Sequence, residues 1–266
     1  MSIHPSAKVH TSAVVEDGAV IGEDCEIGAF SLIGSEVRMG ARNVLHSHSV
    51  VKGDTEIGDD NEIFSFAVVG EIPQDKKFDG EKTKLVIGNN NRIREHVTIN
   101  TGTVGGGSLT KIGDHCLLMA GCHVAHDVII HNNVIVVNSV ALGGHSIIED
   151  DVIIGGLSGI HQFVRIGKGA IIGAVTMVAH DVIPYGLVQG PRGMLDGLNL
   201  VGLKRRGVDR SDIMALRAAF QMMAQGEGTF ADRVKRMGQD TDSNYVQDIV
   251  AFVTGESGRA FLTPGD

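Results

Sequence analysis

For most of its length the chain carries an aliphatic residue at every sixth position. Steps of six from Ile3 pass through Val9, Val15, Ile21 and Ile27 and reach Val69; the same phase resumes at Ile87, Ile93 and Ile99. It returns one residue later at Ile112 and holds to Val178. Every position in these series is apolar, where about half would be by chance. A six-residue repeat is the signature of a parallel β-helix, in which each hexad is one short strand and a turn. Glycine often follows the aliphatic position, as at Gly22, Gly28, Gly34, Gly155 and Gly173, and eases the corner backbone. Three hexads close one coil, so side chains eighteen residues apart sit one above another.

A second small or branched position lies four residues after the first: Ala7, Ala13, Ala19, Cys25, Ser31, Cys116, Cys122 and Val128. All three cysteines fall there, which reads them as small core residues rather than nucleophiles or ligands. An odd number of cysteines without a CxxC fits a reducing cytoplasm better than a disulfide framework. Abundant glycine without collagen spacing, scarce aromatics and no Trp also fit an aliphatic repeat core. The formal charge of −9 argues against an indiscriminate nucleic-acid binder. The N-terminus has no apolar signal core, and no run approaches the length of a transmembrane segment, so a cytoplasmic protein is expected.

Two stretches break the register, 73–85 (PQDKKFDGEKTKL) and 105–111 (GGGSLTK). In a solenoid such insertions become loops on one face, often the binding face. The repeat ends near Pro184. From Ser211 the periodicity becomes helical, with Ile213, Leu216, Ala219 and Phe220 on one face. Further helices are expected over Thr229–Met237 and Asn244–Val253, and Arg259–Phe261 falls in a tail without a readable pattern. The expected division is a β-helix over 1–190 and an α-helical unit over 191–266.

The eighteen-residue arithmetic groups the histidines. His126, Gly144, Gln162 and His180 form one column, Asp127, His145 and Phe163 the next, and Ala125, Gly143 and His161 flank them. Coils lie about 4.8 Å apart, which brings His126, His145 and His161 within reach of one small substrate. A lone histidine in such a repeat is usually a turn residue; several on one edge fit that reading less well. Imidazole suits general-base work near neutral pH. Asp127 could orient it, and a backbone N–H at Gly143–Gly144 could hold a developing oxyanion. Together they suit acyl transfer. With no G-x-S-x-G elbow and the cysteines facing inward, direct attack by an acceptor is favoured over an acyl-enzyme.

Q-D-x-K at Gln74, Asp75 and Lys77, RIRE at 92–95, HVAHD at 123–127, GGH at 143–145, IHQF at 160–163 and GLKRRG at 202–207 occur in that order. Together they make the chain resemble the UDP-N-acetylglucosamine O-acyltransferases, hexapeptide-repeat enzymes that open lipid A synthesis. The resemblance implies a mainly β fold, a left-handed parallel β-helix followed by a small α-helical domain, and a homotrimer with sites between neighbouring subunits. It implies His126 as the base on the sugar 3-hydroxyl, Asp127 as its support and the Gly144 N–H as oxyanion donor. The hydroxyl would attack the thioester of a 3-hydroxyacyl chain on acyl carrier protein, with no cofactor or metal. Asp75, Lys77, His123, His145, His161 and Gln162, with Gln74 beside them, would position the sugar nucleotide and acyl chain. Asn199, Arg205 and Arg206 would bind the UDP part, arginine being a fixed charged fork for phosphate. Ala174 stands where the family sets acyl length, and its small side chain implies a fairly long chain. Val201 replaces a common Glu, and Arg192 stands where a His is often found. Acyl carrier protein is acidic, which makes Lys204, Arg205, Arg217, Arg233 and Lys235 docking candidates.

Three other readings stay open at this level. A related transfer could use a 3-amino sugar as acceptor; the N-acyltransferase of the same pathway, however, usually carries a uridine-binding domain before its repeat, and here the repeat begins at Ile3. A γ-class carbonic anhydrase shares the β-helix and would use His123, His126 and His145 on zinc. A β-helix can also serve only as a binding scaffold.

Overall fold

The computed structural model of the chain describes residues 2–239 and 241–264. Residues 2–178 wind into a left-handed parallel β-helix of triangular section. Each coil contributes a strand to each of three flat faces, and the strands stack in register as parallel sheets. The first face starts at Ser2–Ile3, the second at Lys8–Val9 and the third at Val14–Val15; they hold 9, 11 and 9 strands. Most strands have only two residues, the first outward and the second inward. The inward residue is the aliphatic one of each hexad: Ile33, Val51, Val69, Ile99, Leu118, Val136 and Ile154 are all fully buried. Fully burying such a side chain is worth about 1.5–3 kcal/mol, and the repeat does this at each step.

The corners need a tight turn. At many of them a non-glycine residue takes positive φ, a region where Asp, Asn and His are enriched. The first corner, between the first and second faces, carries Arg42, Asp60, Asn90, His115, Asn133 and Asp151 in this conformation. The second, between the second and third faces, carries Phe30, His48, Phe66, His96, Leu157 and Val175. The third, where the third face returns to the first, carries Asp127, His145 and Phe163. Inside the first corner the small core position is taken by a buried ladder the hexad does not announce. The backbone N–H groups of Asn61, Asn91 and Cys116 donate in turn to the side-chain oxygens of Asn43, Asn61 and Asn91. The three cysteines are free and buried, and burial pushes Cys116 and Cys122 up to about 11.

Both interruptions leave the coil at the third corner, between Val68–Glu71 and Lys84–Ile87, and between Thr98–Asn100 and Leu109–Ile112. Strands therefore resume inside the spans 73–85 and 105–111. The reason is that Leu85 and Thr110 also point inward and are fully buried, extending the alternation two residues upstream of the hexad position.

Beyond Val178 the strands Gly186–Gln189 and Met194–Leu198 form an antiparallel pair that continues the second face. Residue 191 falls in the connection between them, so helices begin later than the sequence boundary. They are α1 (Leu200–Arg205), α2 (Arg210–Ala224), α3 (Phe230–Met237) and α4 (Asn244–Thr254). Asn199 caps α1, its Oδ1 accepting from Gly202 N at 2.9 Å, and Thr229 with Asp232 forms a capping box on α3. Ile213, Leu216, Ala219 and Met223 are the buried face of α2, and Phe220 is half-buried beside them. The tail then returns to the β-helix, where Phe261 bridges to Asp181 and Pro264 to Leu195. No helix among the described residues is long and apolar enough to cross a membrane.

Candidate active site

The hexad repeat delivers three consecutive corner residues to the third corner, one per coil: Asp127, His145 and Phe163. His126 precedes the first of them. Asp127 is 4% exposed and His126 6%, so both are withdrawn from bulk water. His126 Nδ1 stands 2.8 Å from Asp127 Oδ2. A carboxylate only accepts, so His126 donates through Nδ1 and carries its lone pair on Nε2, an arrangement able to accept a proton.

The second loop holds the carboxylate. Thr103 donates its backbone N–H to Asp127 Oδ1 at 2.8 Å and its hydroxyl to Oδ2 at 2.6 Å. Thr110 Oγ1 accepts from the Asp127 backbone N–H at 2.8 Å. The glycines are needed here by contact: a Cβ at Gly102 would stand 2.8 Å from Asp127 Oδ1, and one at Gly106 would overlap the carboxylate. In the sequence Thr103, Thr110, Gly102 and Gly106 carry no signal beyond a glycine run that breaks the repeat.

Gly144 lies under the His126 ring. A Cβ there would come within 2.6 Å of His126 Cε1 and 2.8 Å of Nε2, so any side chain would displace the imidazole. The Gly143 N–H donates to Ile160 O at 2.9 Å, whereas the Gly144 N–H meets no acceptor among the described residues. The N–H left open at this corner is therefore that of Gly144 and not of its neighbour.

His145 stacks on Phe163 at 4.3 Å between ring centres, 3° from parallel, and meets His126 edge-on at 5.0 Å. Burial is the largest influence on His145 and lowers it below the ordinary imidazole range; the Asp127 charge opposes this and His126 adds to it. His123, on the third face, takes Thr98 Oγ1 at 2.8 Å through Nδ1 and is also lowered, first by burial and then by His126.

The first loop forms the facing wall. Asp75 and Lys77 line a cleft with Thr103, His145 and Phe163, and Phe78 and Glu81 join them from the same loop. Gln74 is exposed and outside that lining. On the upper side the tail residues Glu256, Ser257 and Gly258 border the His145–Phe163 stack. Arg259 reaches His161 and Gln162, both exposed. This tail carries no periodicity or motif in the sequence.

Other residues singled out in the sequence lie elsewhere on the chain. Ala174 is exposed at the second corner beside Val175. Asn199, Arg205 and Arg206 sit at the upper end of the first corner. There Asn199 Nδ2 donates to Gly169 O at 3.0 Å and Arg206 Nη1 is 4.0 Å from Asp151 Oδ2. Arg205 is exposed in the last turn of α1. Among the docking candidates, Lys204, Arg217 and Lys235 are exposed. Arg233 instead donates to Met223 O and Gly228 O, each at 2.8 Å, tying α2 to α3.

As a metal centre, the set the geometry offers is His126, Asp127 and His145, with ligand atoms within 4.8 Å of one another; His123 is not part of it. The fit is poor. Asp127 Oδ2 is already shared by His126 Nδ1 and the Thr103 hydroxyl, and Oδ1 by the Thr103 N–H, so a cation would displace the bonds that orient the carboxylate.

Comparison with known proteins extends along the chain. Residues 181–262 match the family described as UDP N-acetylglucosamine O-acyltransferase, domain 2, and residues 109–144 match the bacterial transferase hexapeptide family. An acyl-(acyl-carrier-protein)–UDP-N-acetylglucosamine O-acyltransferase from Paracoccus denitrificans is 60% identical over 200 residues, 75% of this chain and 76% of that protein. The one from Nautilia profundicola is 50% identical over 187 residues, 70% of this chain and 72% of that protein. Among solved structures, the UDP-N-acetylglucosamine acyltransferase from Campylobacter jejuni superimposes with a TM-score of 0.91 at 37% identity, covering 96% of this chain and 99% of that one.

Proposed function

The chain belongs to the UDP-N-acetylglucosamine O-acyltransferase family, and from that premise we propose how its third corner carries out the transfer. The enzyme moves an acyl chain from acyl carrier protein to UDP-N-acetylglucosamine, the first step of lipid A biosynthesis. His126 Nε2 removes the proton of the sugar 3-hydroxyl, and the oxygen attacks the thioester carbonyl of a 3-hydroxyacyl chain. The tetrahedral oxyanion accepts from the Gly144 N–H. Collapse breaks the C–S bond, and the carrier thiolate takes the proton back from the His126 imidazolium. Asp127, held by Thr103, keeps the ring in the Nδ1–H tautomer and stabilises the imidazolium that forms between the two proton transfers. The observation that carries this reading is the buried His126–Asp127 pair set directly over a glycine whose N–H is unclaimed.

Asp75, Lys77, His123, His145, His161 and Gln162 position the sugar and acyl groups, with Gln74 at the rim. Asn199, Arg205 and Arg206 take the UDP part. Within one chain these arginines and Ala174 stand at corners other than that of His126, which supports a homotrimer: a ring-closing head-to-tail contact sets different corners of neighbouring copies against each other. An exposed apolar column along the second corner, with Phe30 at 62%, Phe66 at 51%, Leu157 at 69% and Val175 at 62%, fits such a seam. Ala174 on that corner sets acyl length, and a small residue there admits a long chain. Reducing conditions in the cytoplasm suit three buried free thiols.

The testing experiment supplies a series of 3-hydroxyacyl carrier proteins with UDP-N-acetylglucosamine or its 3-amino analogue. Transfer to the 3-hydroxyl and a shorter preferred chain in Ala174→Met are the expected results. Preference for the 3-amino acceptor would assign the enzyme to the alternative chemistry, and an unchanged chain preference would remove Ala174 from its role.

A further inference from the structure

We propose that Arg259, in the C-terminal tail, is a positioning residue that fixes the ring tautomer of His161 at the edge of the cleft. The proposal rests on reading the third corner as the transfer site. Past α4 the tail passes the cleft at 256–258 and is then pinned on both sides of Arg259. Ser257 Oγ stands 2.7 Å from Asp181 Oδ2. Asp181 is fully buried and takes the Arg165 side chain at 2.7 Å and the Arg165 backbone N–H at 2.8 Å. On the other side, Asp181 N donates to Ala260 O at 2.8 Å and Leu262 N donates to Asp181 O at 2.9 Å. An arginine held between two such anchors is presented in one place.

Its guanidinium makes two contacts there. Nη2 lies 2.8 Å from His161 Nδ1, and Nε donates to Gln162 O at 3.1 Å. A guanidinium has only donors, so Nδ1 must offer its lone pair and the ring proton must sit on Nε2. His161 Nδ1 is also 3.2 Å from Gln162 O. That carbonyl is an acceptor. Without Arg259 it is the partner left within reach of Nδ1, and it favours the proton on Nδ1. The arginine thus selects between two tautomers of opposite meaning. With Arg259 the ring presents an Nε2–H donor, suited to an oxygen of the sugar, diphosphate or acyl hydroxyl. Without it the ring presents a lone pair that repels the same oxygen.

The test uses the full-length enzyme. Arg259→Met keeps the stem and removes the donors, and Arg259→Lys restores one. By nitrogen NMR of labelled histidine, wild type and Arg259→Lys should show His161 as Nε2–H, and Arg259→Met as Nδ1–H. In acyl transfer Arg259→Met should lower kcat/KM about tenfold, mainly through KM, as expected for one hydrogen bond to substrate. It should add nothing in a His161→Ala background. A retained Nε2–H tautomer in Arg259→Met, an unchanged kcat/KM, or multiplying effects in the double variant would each overturn the proposal. Hydrogen exchange at the Leu262 N–H reads tail docking independently. Its protection should survive Arg259→Met; loss of protection would make Arg259 a tail anchor instead. The functional reading is tested apart from this by His126→Ala, whose full activity would sink that reading while the tautomer measurement still decided the role of Arg259.

Discussion

The second and third corners of the β-helix are built from the same parts and do different things. At the second, Phe30, His48, Phe66 and His96 stack at 5.0, 5.1 and 5.2 Å, each in the left-handed region. At the third, His145 stacks on Phe163 at 4.3 Å in the same backbone conformation. A histidine against a phenylalanine at a positive-φ corner is therefore a way of covering a turn, and by itself signals no chemistry. The third corner differs in three respects. It carries a carboxylate, Asp127, one coil below the stack. It is where both insertions leave the coil, so Thr103 can bind that carboxylate and the first loop can face it. And it has glycine at 144, which leaves room for a second imidazole. Along its His–Phe stack the second corner has no buried acid among the described residues, and Ala29, Ser47, Ser65 and Glu95 stand before the rings where the third corner has Gly144.

Substitutions that remove one of those differences should bring the third corner toward the second. Asp127→Asn leaves the shape and loses the tautomer control, and transfer should fall about 10⁴-fold in kcat, by analogy with other His–Asp pairs. Gly144→Ala drives a methyl into the His126 ring and shifts the oxyanion donor; a loss of about 10²-fold in kcat is expected. Thr103→Val removes a hydroxyl from a buried carboxylate. It should cost about 1–3 kcal/mol in stability by denaturant unfolding, with turnover falling about tenfold. His48→Ala, at the second corner, should cost about 0.5–1.5 kcal/mol from the stack and change turnover at saturating enzyme concentration by no more than about twofold. A large loss of turnover in His48→Ala with assembly intact would break the contrast.

Acid should also act at the third corner. Burial lowers His123 and His145 in the folded chain, so below about pH 6.5 the unfolded chain takes up protons first. Stability should then fall as pH drops through that range and be restored as it rises. Denaturant midpoints at about pH 7.5 and about pH 5.5 should differ less in His123→Gln than in wild type.

Much of this was legible in the sequence because a β-helix converts spacing directly into position. The phase of Ile112 to Val178 places His126, Asp127, Gly144 and His145 on one corner with no long-range guesswork, and the helical face of Ile213, Leu216 and Ala219 follows from its period. What escaped has physical reasons. The Asn43–Asn61–Asn91 ladder occupies a core position where hydropathy predicts small apolar residues, and its cost is met by hydrogen bonds between coils that no single hexad reveals. Thr103 lies in an insertion, where the arithmetic that aligns coils stops. Ser257 and Arg259 come from a tail whose contacts lie 76 to 98 residues away along the chain. The repeat also cannot tell Gly143 from Gly144. Only the pairing of the first N–H with Ile160 leaves the second as the open donor.

The claim that chemistry resides in the His126–Asp127 pair can be tested in one assay. It measures initial rates of 3-hydroxyacyl transfer from carrier protein to UDP-N-acetylglucosamine for wild type, His126→Ala, Asp127→Asn and the double variant, with circular dichroism confirming the fold. His126→Ala should lose at least about 10³-fold, and Asp127→Asn should add little on top of it, since both act through one proton transfer. Transfer by His126→Ala within about tenfold of wild type, from a folded protein, would contradict it.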